Sequence, residues 1–232
     1  MSNKARTPVC SLEELGMAYM TAKNTILEAG FSFEIDWQDS LVFDHITETD
    51  FLREAAWVVL SSGMSEFIIR QKFPKISAAF LDWKSASHIV ECGAECRKAA
   101  LRHFKHSKKI ESILTIALHV HEKSFEVVCE FIRQDGISYL SQFPYMGPAT
   151  SRHLAKNIGL QVAKPDRHLK RISERVGYCT PEEMCADIAT MVGDKITVVD
   201  LVLWRYATLQ EDYLRLFPIV YLFENAQGEE PS

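Results

Sequence analysis

Residues 136–176 read GISYLSQFPYMGPATSRHLAKNIGLQVAKPDRHLKRISERV, and the order of turn and helix signals in them decides the fold. The pattern predicts a short helix, a tight turn over Phe143-Pro144-Tyr145-Met146-Gly147, a second helix ending near Gly159, and a third helix opened by Pro165-Asp166. Pro148 suits a first helical position, where the N–H it lacks would have had no partner, and Gly159 suits a left-handed C-cap. A hairpin between two short helices aims backbone N–H groups outward at the start of the second helix, and such a terminus attracts a phosphate. One carboxylate, Asp166, follows nineteen positions after Gly147.

Phe-Pro-x-x-Gly followed by a helix resembles the Leu-Pro-Gly-Val-Gly hairpin of the helix-hairpin-helix (HhH-GPD) DNA glycosylases, the superfamily that includes endonuclease III and the alkylpurine and 8-oxoguanine glycosylases. Asp166-Arg167-His168-Leu169-Lys170-Arg171-Ile172 is similar to that family's Asp-x-His-apolar-x-Arg-apolar segment, whose Asp is the catalytic carboxylate. The resemblance implies a mainly α fold of two helical lobes with a cleft between them. Residues 46–160 would form a central lobe ending in the hairpin. Residues 1–45 and 161–232 would form the other, with Asp166 at the mouth of the cleft, where a base turned out of DNA is received.

Three departures shape what the resemblance implies. Tyr145 stands where the family has the first hairpin glycine, so the turn is expected to be less tight or to present an aromatic ring to DNA. The spacing to Asp166 is one to three residues shorter than in relatives. Bifunctional members place a lysine two positions after the second glycine, as the Schiff-base nucleophile of the strand-cutting step, and this chain has Ala149 there. Base removal without strand cutting is the expectation. A non-catalytic DNA-binding protein on the same scaffold and a bifunctional enzyme using Lys156 or Lys164 stay open as alternatives.

At 232 residues, 47% hydrophobic and 25% charged, the chain has the composition of an ordinary globular protein with a full core. It has no apolar run approaching the length of a membrane span and no charged-then-apolar leader, so an intracellular monomer, nucleoid-associated or nuclear, with no membrane partner is expected. Six scattered cysteines predict no disulfide in that setting. Nothing after Cys185 could supply the four-cysteine loop that holds an iron–sulfur cluster in some relatives, so no cluster and no required cofactor are expected. Cys92 and Cys96 lie one turn apart on a helical stretch, a poor metal site without a second pair of ligands. The resemblance further implies that the hairpin carbonyls can hold a monovalent cation.

The net charge of −5 is unevenly spread. Residues 97–109 hold six Lys/Arg and no acid, and residues 152–175 hold seven Lys/Arg and two acids, so these 37 residues carry +11 while the other 195 carry −16. A basic face on an acidic body can meet a phosphate backbone while the rest stays solvated. Solvated helix faces are the plainer reading of either run alone; the second run coincides with the hairpin.

Elsewhere the sequence predicts a disordered start over residues 1–10, a helix opened by the capping box Ser11-Leu12-Glu13-Glu14 and closed by Gly30, and a short extended segment over Phe31–Trp37, where apolar and polar residues alternate. Helices are expected over about 50–62 and 65–73, then 86–104, 108–121 and 124–134. Thr180-Pro181-Glu182-Glu183 starts another that Gly193 ends. A last apolar helix over 197–210 is expected to bury Val199, Val202, Tyr206 and Leu209, and an apolar tail from Phe217 to Phe223 to pack back on the body. The helical pair VVLSSGMSEFIIRQKFPKI resembles the superfamily's N-terminal pair, whose loop pushes a side chain into the gap left by an extruded base. Met64 is the candidate wedge, with core packing as its alternative role.

The chemistry implied is hydrolysis of an N-glycosidic bond in double-stranded DNA carrying a damaged or modified base. Breaking that bond builds positive charge on the sugar, and a carboxylate beside C1′ stabilises it and orients or deprotonates water. Asp166 is the candidate, and it is equally suited to cap the following helix. Tyr145, Gly147, Thr150, Ser151, His168 and Arg171 are the further candidates for holding DNA, with His168 and Arg171 one turn apart for a phosphate. Phe33, Trp37, Trp204 and Tyr145 are candidates to line a base pocket, and each has core packing as its plainer role.

Overall fold

The computed structural model describes residues 10–218. Among them the chain forms α1 (Leu12–Glu28), α2 (Ser32–Ser40), α3 (Glu48–Ser61), α4 (Glu66–Ala79), α5 (Ala86–Glu91), α6 (Gly93–His103), α7 (Ser107–Lys123), α8 (Phe125–Asp135), α9 (Ile137–Leu140), α10 (Pro148–Asn157), α11 (Arg167–Arg175), α12 (Pro181–Val192) and α13 (Ile196–Leu209). Three short 3-10 turns complete a mainly α architecture, and no strand is found among the described residues. None of these helices is long and apolar enough to cross a membrane.

The chain divides into two compact units, one made of Asp36–Lys164 and the other of the chain up to Ile35 together with Pro165 onward. In the first, α3 and α7 are the central helices. Phe51, Val58, Val59 and Leu60 on α3 and Ile110, Ile116 and Val120 on α7 are almost wholly excluded from solvent. At about 25 cal/mol per Å2 of apolar surface removed from water, such side chains supply most of the driving force for the unit. α10 packs on α3, which fixes the hairpin to this core. In the second unit α1, α12 and α13 pack on one another, and α11 lies against α12 and α13. Tyr19 on α1 donates to Asp194 Oδ2, and Lys23 pairs with the same carboxylate at 2.7 Å, tying α1 to the turn after α12.

Several boundaries differ from the sequence pattern for identifiable reasons. The expected extended segment over 31–37 is helix: α2 buries Ile35 and Gln38, three positions apart, and leaves Phe33 and Trp37 exposed. Alternation over seven residues suits a strand, and the helical spacing of the two buried side chains overrides it. α4 runs through Pro74 to Ala79 instead of ending at Phe73, anchored beyond the proline by the buried Ile76. Cys92 breaks the stretch 86–103 into two helices, so Cys92 and Cys96 do not share one continuous helix. On α13 the buried apolar side chains are Val198, Val199, Leu201, Val202, Leu203 and Ala207, while Tyr206 is half-buried and Leu209 is exposed. The capping boxes at Ser11 and Thr47 are both formed, and Gly193 ends α12 in the left-handed conformation. Phe217 is buried; the start of the chain to residue 9 and the tail beyond Pro218 lie outside the described residues.

Candidate functional site

The hairpin turn is closed by Met146 N–H donating to Phe143 O at 3.1 Å, with Pro144 and Tyr145 as its central residues. Tyr145 has φ +65°, the left-handed region that the second central position of such a turn requires and that glycine normally fills. A side chain there costs roughly 1–2 kcal/mol. The surroundings hold it in place: Thr150 Oγ1 donates to Tyr145 O at 2.7 Å, the ring of His106 meets the Tyr145 ring edge-on at 6.3 Å, and Lys109 Nζ lies 5.6 Å from its centroid. The turn therefore keeps the geometry of a glycine hairpin, and the aromatic ring is half-buried against His106 and Lys109.

Gly147 caps α10 with extended backbone, and Pro148 occupies its first turn. The N–H groups of Gly147, Ala149 and Thr150 have no acceptor among the described residues, and Gly147 and Pro148 are exposed. These are the donors an anion would meet. Ser151 differs from its expected role: it is wholly buried, and both its N–H and its hydroxyl donate to Gly147 O at 2.9 Å. The Thr150 hydroxyl is likewise engaged by Tyr145 O, so what Thr150 can offer a phosphate is its N–H alone. The carbonyls of Phe143 and Tyr145 each accept one hydrogen bond within the hairpin, which leaves each with one lone pair for a monovalent cation, whereas Gly147 O is already taken by both Ser151 donors. Among the described residues no group of three or more His, Cys, Asp or Glu is arranged to hold a metal ion.

The far end of α10 closes with Gly159 N–H on Lys156 O and Leu160 N–H on Ala155 O, the paired bonds of a Schellman cap. Gly159 has φ +92°, and a Cβ on it would stand 2.6 Å from Phe43 N and 2.8 Å from Val42 C. The hairpin is thus seated directly on the backbone that precedes α3. Asn157 at the last turn donates to Glu54 Oε2 on α3 at 2.9 Å. Burial pushes the Glu54 carboxyl up, against the opposing pull of Arg53 and of the Asn157 bond.

Lys109, counted in the sequence as one cation of a basic run, is buried and acts as a joint. Its ammonium donates to Leu60 O at 2.8 Å, in the last turn of α3, and to Ser62 O, just past its end. It thereby links the α3–α4 loop to the hairpin turn. Met64, in that loop, is 40% exposed and so does not serve the core; Phe67 and Ile68 behind it are also exposed.

Asp166, in the other unit, is the N-cap of α11. Its Oδ1 accepts from His168 N–H at 2.8 Å and from Leu169 N–H at 3.0 Å, and its Oδ2 takes no hydrogen bond from the described residues. The His168 side chain is taken up by contacts within its own unit. Its ring packs edge-on against Tyr213 at 5.2 Å, Nε2 accepts from Arg167 Nε at 3.2 Å, and Nδ1 is buried without a partner. Burial holds the His168 imidazole below its ordinary value; Asp166 opposes this, and Arg167 and Arg171 reinforce it. Arg171 is exposed.

Trp37 belongs to the unit of the hairpin, and Phe33 and Trp204 to the unit of Asp166. Arg205 forms a bidentate pair with Glu34, and its guanidinium carbon lies 4.6 Å from the centroids of both Phe31 and Trp204. Phe33, 6.3 Å from Phe31, is the exposed edge of this cluster. Of the alternative nucleophiles, Lys156 is buried and Lys164 Nζ lies 3.5 Å from His153 Nδ1. Burial, then Lys164 and Lys156, push the His153 imidazole well below its ordinary value. No protein family matches the chain, and no curated protein matches it.

Proposed function

We propose that this protein is a monofunctional DNA glycosylase of the helix-hairpin-helix type, built on that superfamily's two-lobed fold, which turns a damaged or modified base out of double-stranded DNA and hydrolyses its N-glycosidic bond. The observation that carries the reading is the state of Asp166, with Oδ1 fixed by two backbone N–H groups and Oδ2 left open. A carboxylate so held needs no reorganisation to face a developing cation, which is the condition for electrostatic catalysis. As the bond from C1′ to the base nitrogen lengthens, the electron pair leaves with the base and positive charge grows on the sugar. Asp166 stabilises that charge and takes a proton from the water that adds to C1′. The hairpin supports the reading by offering the N–H groups of Gly147, Ala149 and Thr150 to a phosphate. Ala149 leaves the position of the strand-cutting lysine without an amine.

A second reading has its own support, since N-capping alone accounts for a carboxylate at residue 166. It makes the protein a DNA-binding module without catalysis. One experiment separates the two: incubation of the purified protein with duplexes carrying alkylated, oxidised, deaminated and hypermodified bases, in parallel with Asp166→Asn. The glycosylase reading expects release of a free base by the parent protein and its loss in Asp166→Asn with DNA affinity retained. Binding of every duplex with release from none selects the module. Borohydride is expected to trap no covalent DNA adduct; an adduct would assign Lys156 or Lys164 a nucleophilic role and overturn the monofunctional reading.

A further inference from the structure

We propose that residues 102–108, the end of α6, the turn after it and the start of α7, form a second phosphate-binding arm, held beside the hairpin by a chain of ring contacts; this rests on the reading of the protein as one that binds duplex DNA. The turn is shaped by its buried and ring-bearing residues. Phe104 is buried, its N–H donates to Ala100 O at 2.9 Å, and its ring stacks on His106 at 6.0 Å. His106 caps α7, with Nδ1 accepting from Lys109 N–H, and meets the Tyr145 ring edge-on. Lys109, three residues on, reaches the same Tyr145 ring through its ammonium. Three segments distant in sequence are therefore fixed as one piece: the end of α3, residues 102–108 and the hairpin.

The side chains that this arrangement leaves outward are Arg102, His103, Lys105 and Lys108, all exposed. None of them is paired with an acid among the described residues, whereas Arg97 at the other end of the run is engaged by Glu111. On the α4 side Lys72 Nζ lies 5.9 Å from the Phe104 centroid, adding a further cation to the same edge. Unpaired cations repel one another, and a chain whose remainder is acidic had ample carboxylates with which to neutralise them. Their location beside a helix terminus with three unclaimed N–H donors identifies the complement as phosphate spaced along a backbone. A duplex lying on the hairpin presents further phosphates to both sides of the one bound there.

Each phosphate neutralised by a lysine or arginine contributes about 0.9 to the slope of log affinity against log salt. The triple variant Arg102→Gln/Lys105→Gln/Lys108→Gln, measured by fluorescence anisotropy on an unmodified duplex between 50 and 300 mM NaCl, is expected to lose about 2 to 3 from that slope and at least tenfold in affinity at low salt. All three positions are exposed, and an unchanged thermal melt confirms that the fold is kept. Lys84→Gln/Lys123→Gln, two exposed lysines outside the arm, is the control and is expected to keep the parent slope. A parent protein that binds DNA and a triple variant with the parent slope overturn the arm alone. A parent protein that binds no duplex overturns the arm together with the proposed function.

Discussion

The ammonium of Lys109 lies 5.6 Å from the centroid of the Tyr145 ring and at the same time donates to Leu60 O at 2.8 Å and to Ser62 O. A buried cation without a carboxylate needs another source of negative potential. The carbonyl end of α3 and the face of an aromatic ring both provide it. Burial lowers the Lys109 pKa, so the arrangement only partly offsets desolvation. Lys109→Met keeps the stem but leaves the Leu60 and Ser62 carbonyls without their donor, at a cost of about 2–3 kcal/mol. Urea denaturation measures it; a loss below about 0.5 kcal/mol would show that water replaces the ammonium and that the joint is not structural.

Tyr145 offers a sharper comparison, because two effects of a substitution oppose each other. Tyr145→Ala loses the contacts to His106 and Lys109 and keeps a Cβ at φ +65°. Tyr145→Gly loses the same contacts and relieves the strain. Glycine is therefore expected to be more stable than alanine here by about 1 kcal/mol, the reverse of their order in a helix. Equal melting temperatures for the two variants would reject the left-handed turn.

Gly159→Ala carries both a strained backbone and a clash with the Val42–Phe43 backbone. A backbone neighbour cannot move aside as a flexible side chain does, so the end of α10 must shift. Destabilisation of more than about 2 kcal/mol is expected, well above the ordinary cost of a surface substitution. Because α10 carries the hairpin donors, duplex affinity should fall with it, measured by anisotropy at a temperature where the variant is folded.

The contrast between these residues shows what the sequence could and could not reveal. Pro148 and Gly159 were legible because each has one dominant backbone preference that does not depend on partners. Asp166 as a cap was legible for the same reason. Lys109 was not: as one of six cations in thirteen residues it looks like its neighbours, and only the arrival of Leu60 O and Ser62 O from 49 and 47 positions away makes it a joint. Ser151 was misread because its hydroxyl is consumed by a carbonyl four residues back, a bond that many helical serines make or omit without any sequence sign. Residues 31–37 failed as a strand because a seven-residue alternation also fits a helix whose burial is decided by distant packing.

Three histidines make stability depend on pH in a stated direction. His119, His153 and His168 are held below the ordinary imidazole value of 6.5, in each case first by burial. The unfolded chain therefore binds protons at a pH where the folded chain does not. Stability is full above about pH 6.5 and is lost as pH falls through the folded values. His153, flanked by Lys164 and Lys156, is pushed furthest. Unfolding free energy measured by urea between pH 7.5 and 5 should decline on acidification, and His153→Gln should flatten the decline. A stability profile that rises toward pH 5 would contradict the neutral, partly desolvated state of these rings.

Asp166 separates capping from chemistry. Asparagine caps a helix almost as well as aspartate, so Asp166→Asn should keep stability to within the few tenths to 1 kcal/mol that a charge at a helix N-terminus contributes. Asp166→Ala removes the acceptor of the His168 and Leu169 N–H groups and should cost about 1 kcal/mol. If the carboxylate acts only as a cap, the two variants differ in base release as they differ in stability. If it also faces a sugar cation, both lose release by about 100-fold or more, out of proportion to their losses of stability, since neither side chain carries the negative charge. Single-turnover rates set beside unfolding free energies for the two variants decide it. Retained release in the stable asparagine variant would leave Asp166 a cap and nothing more.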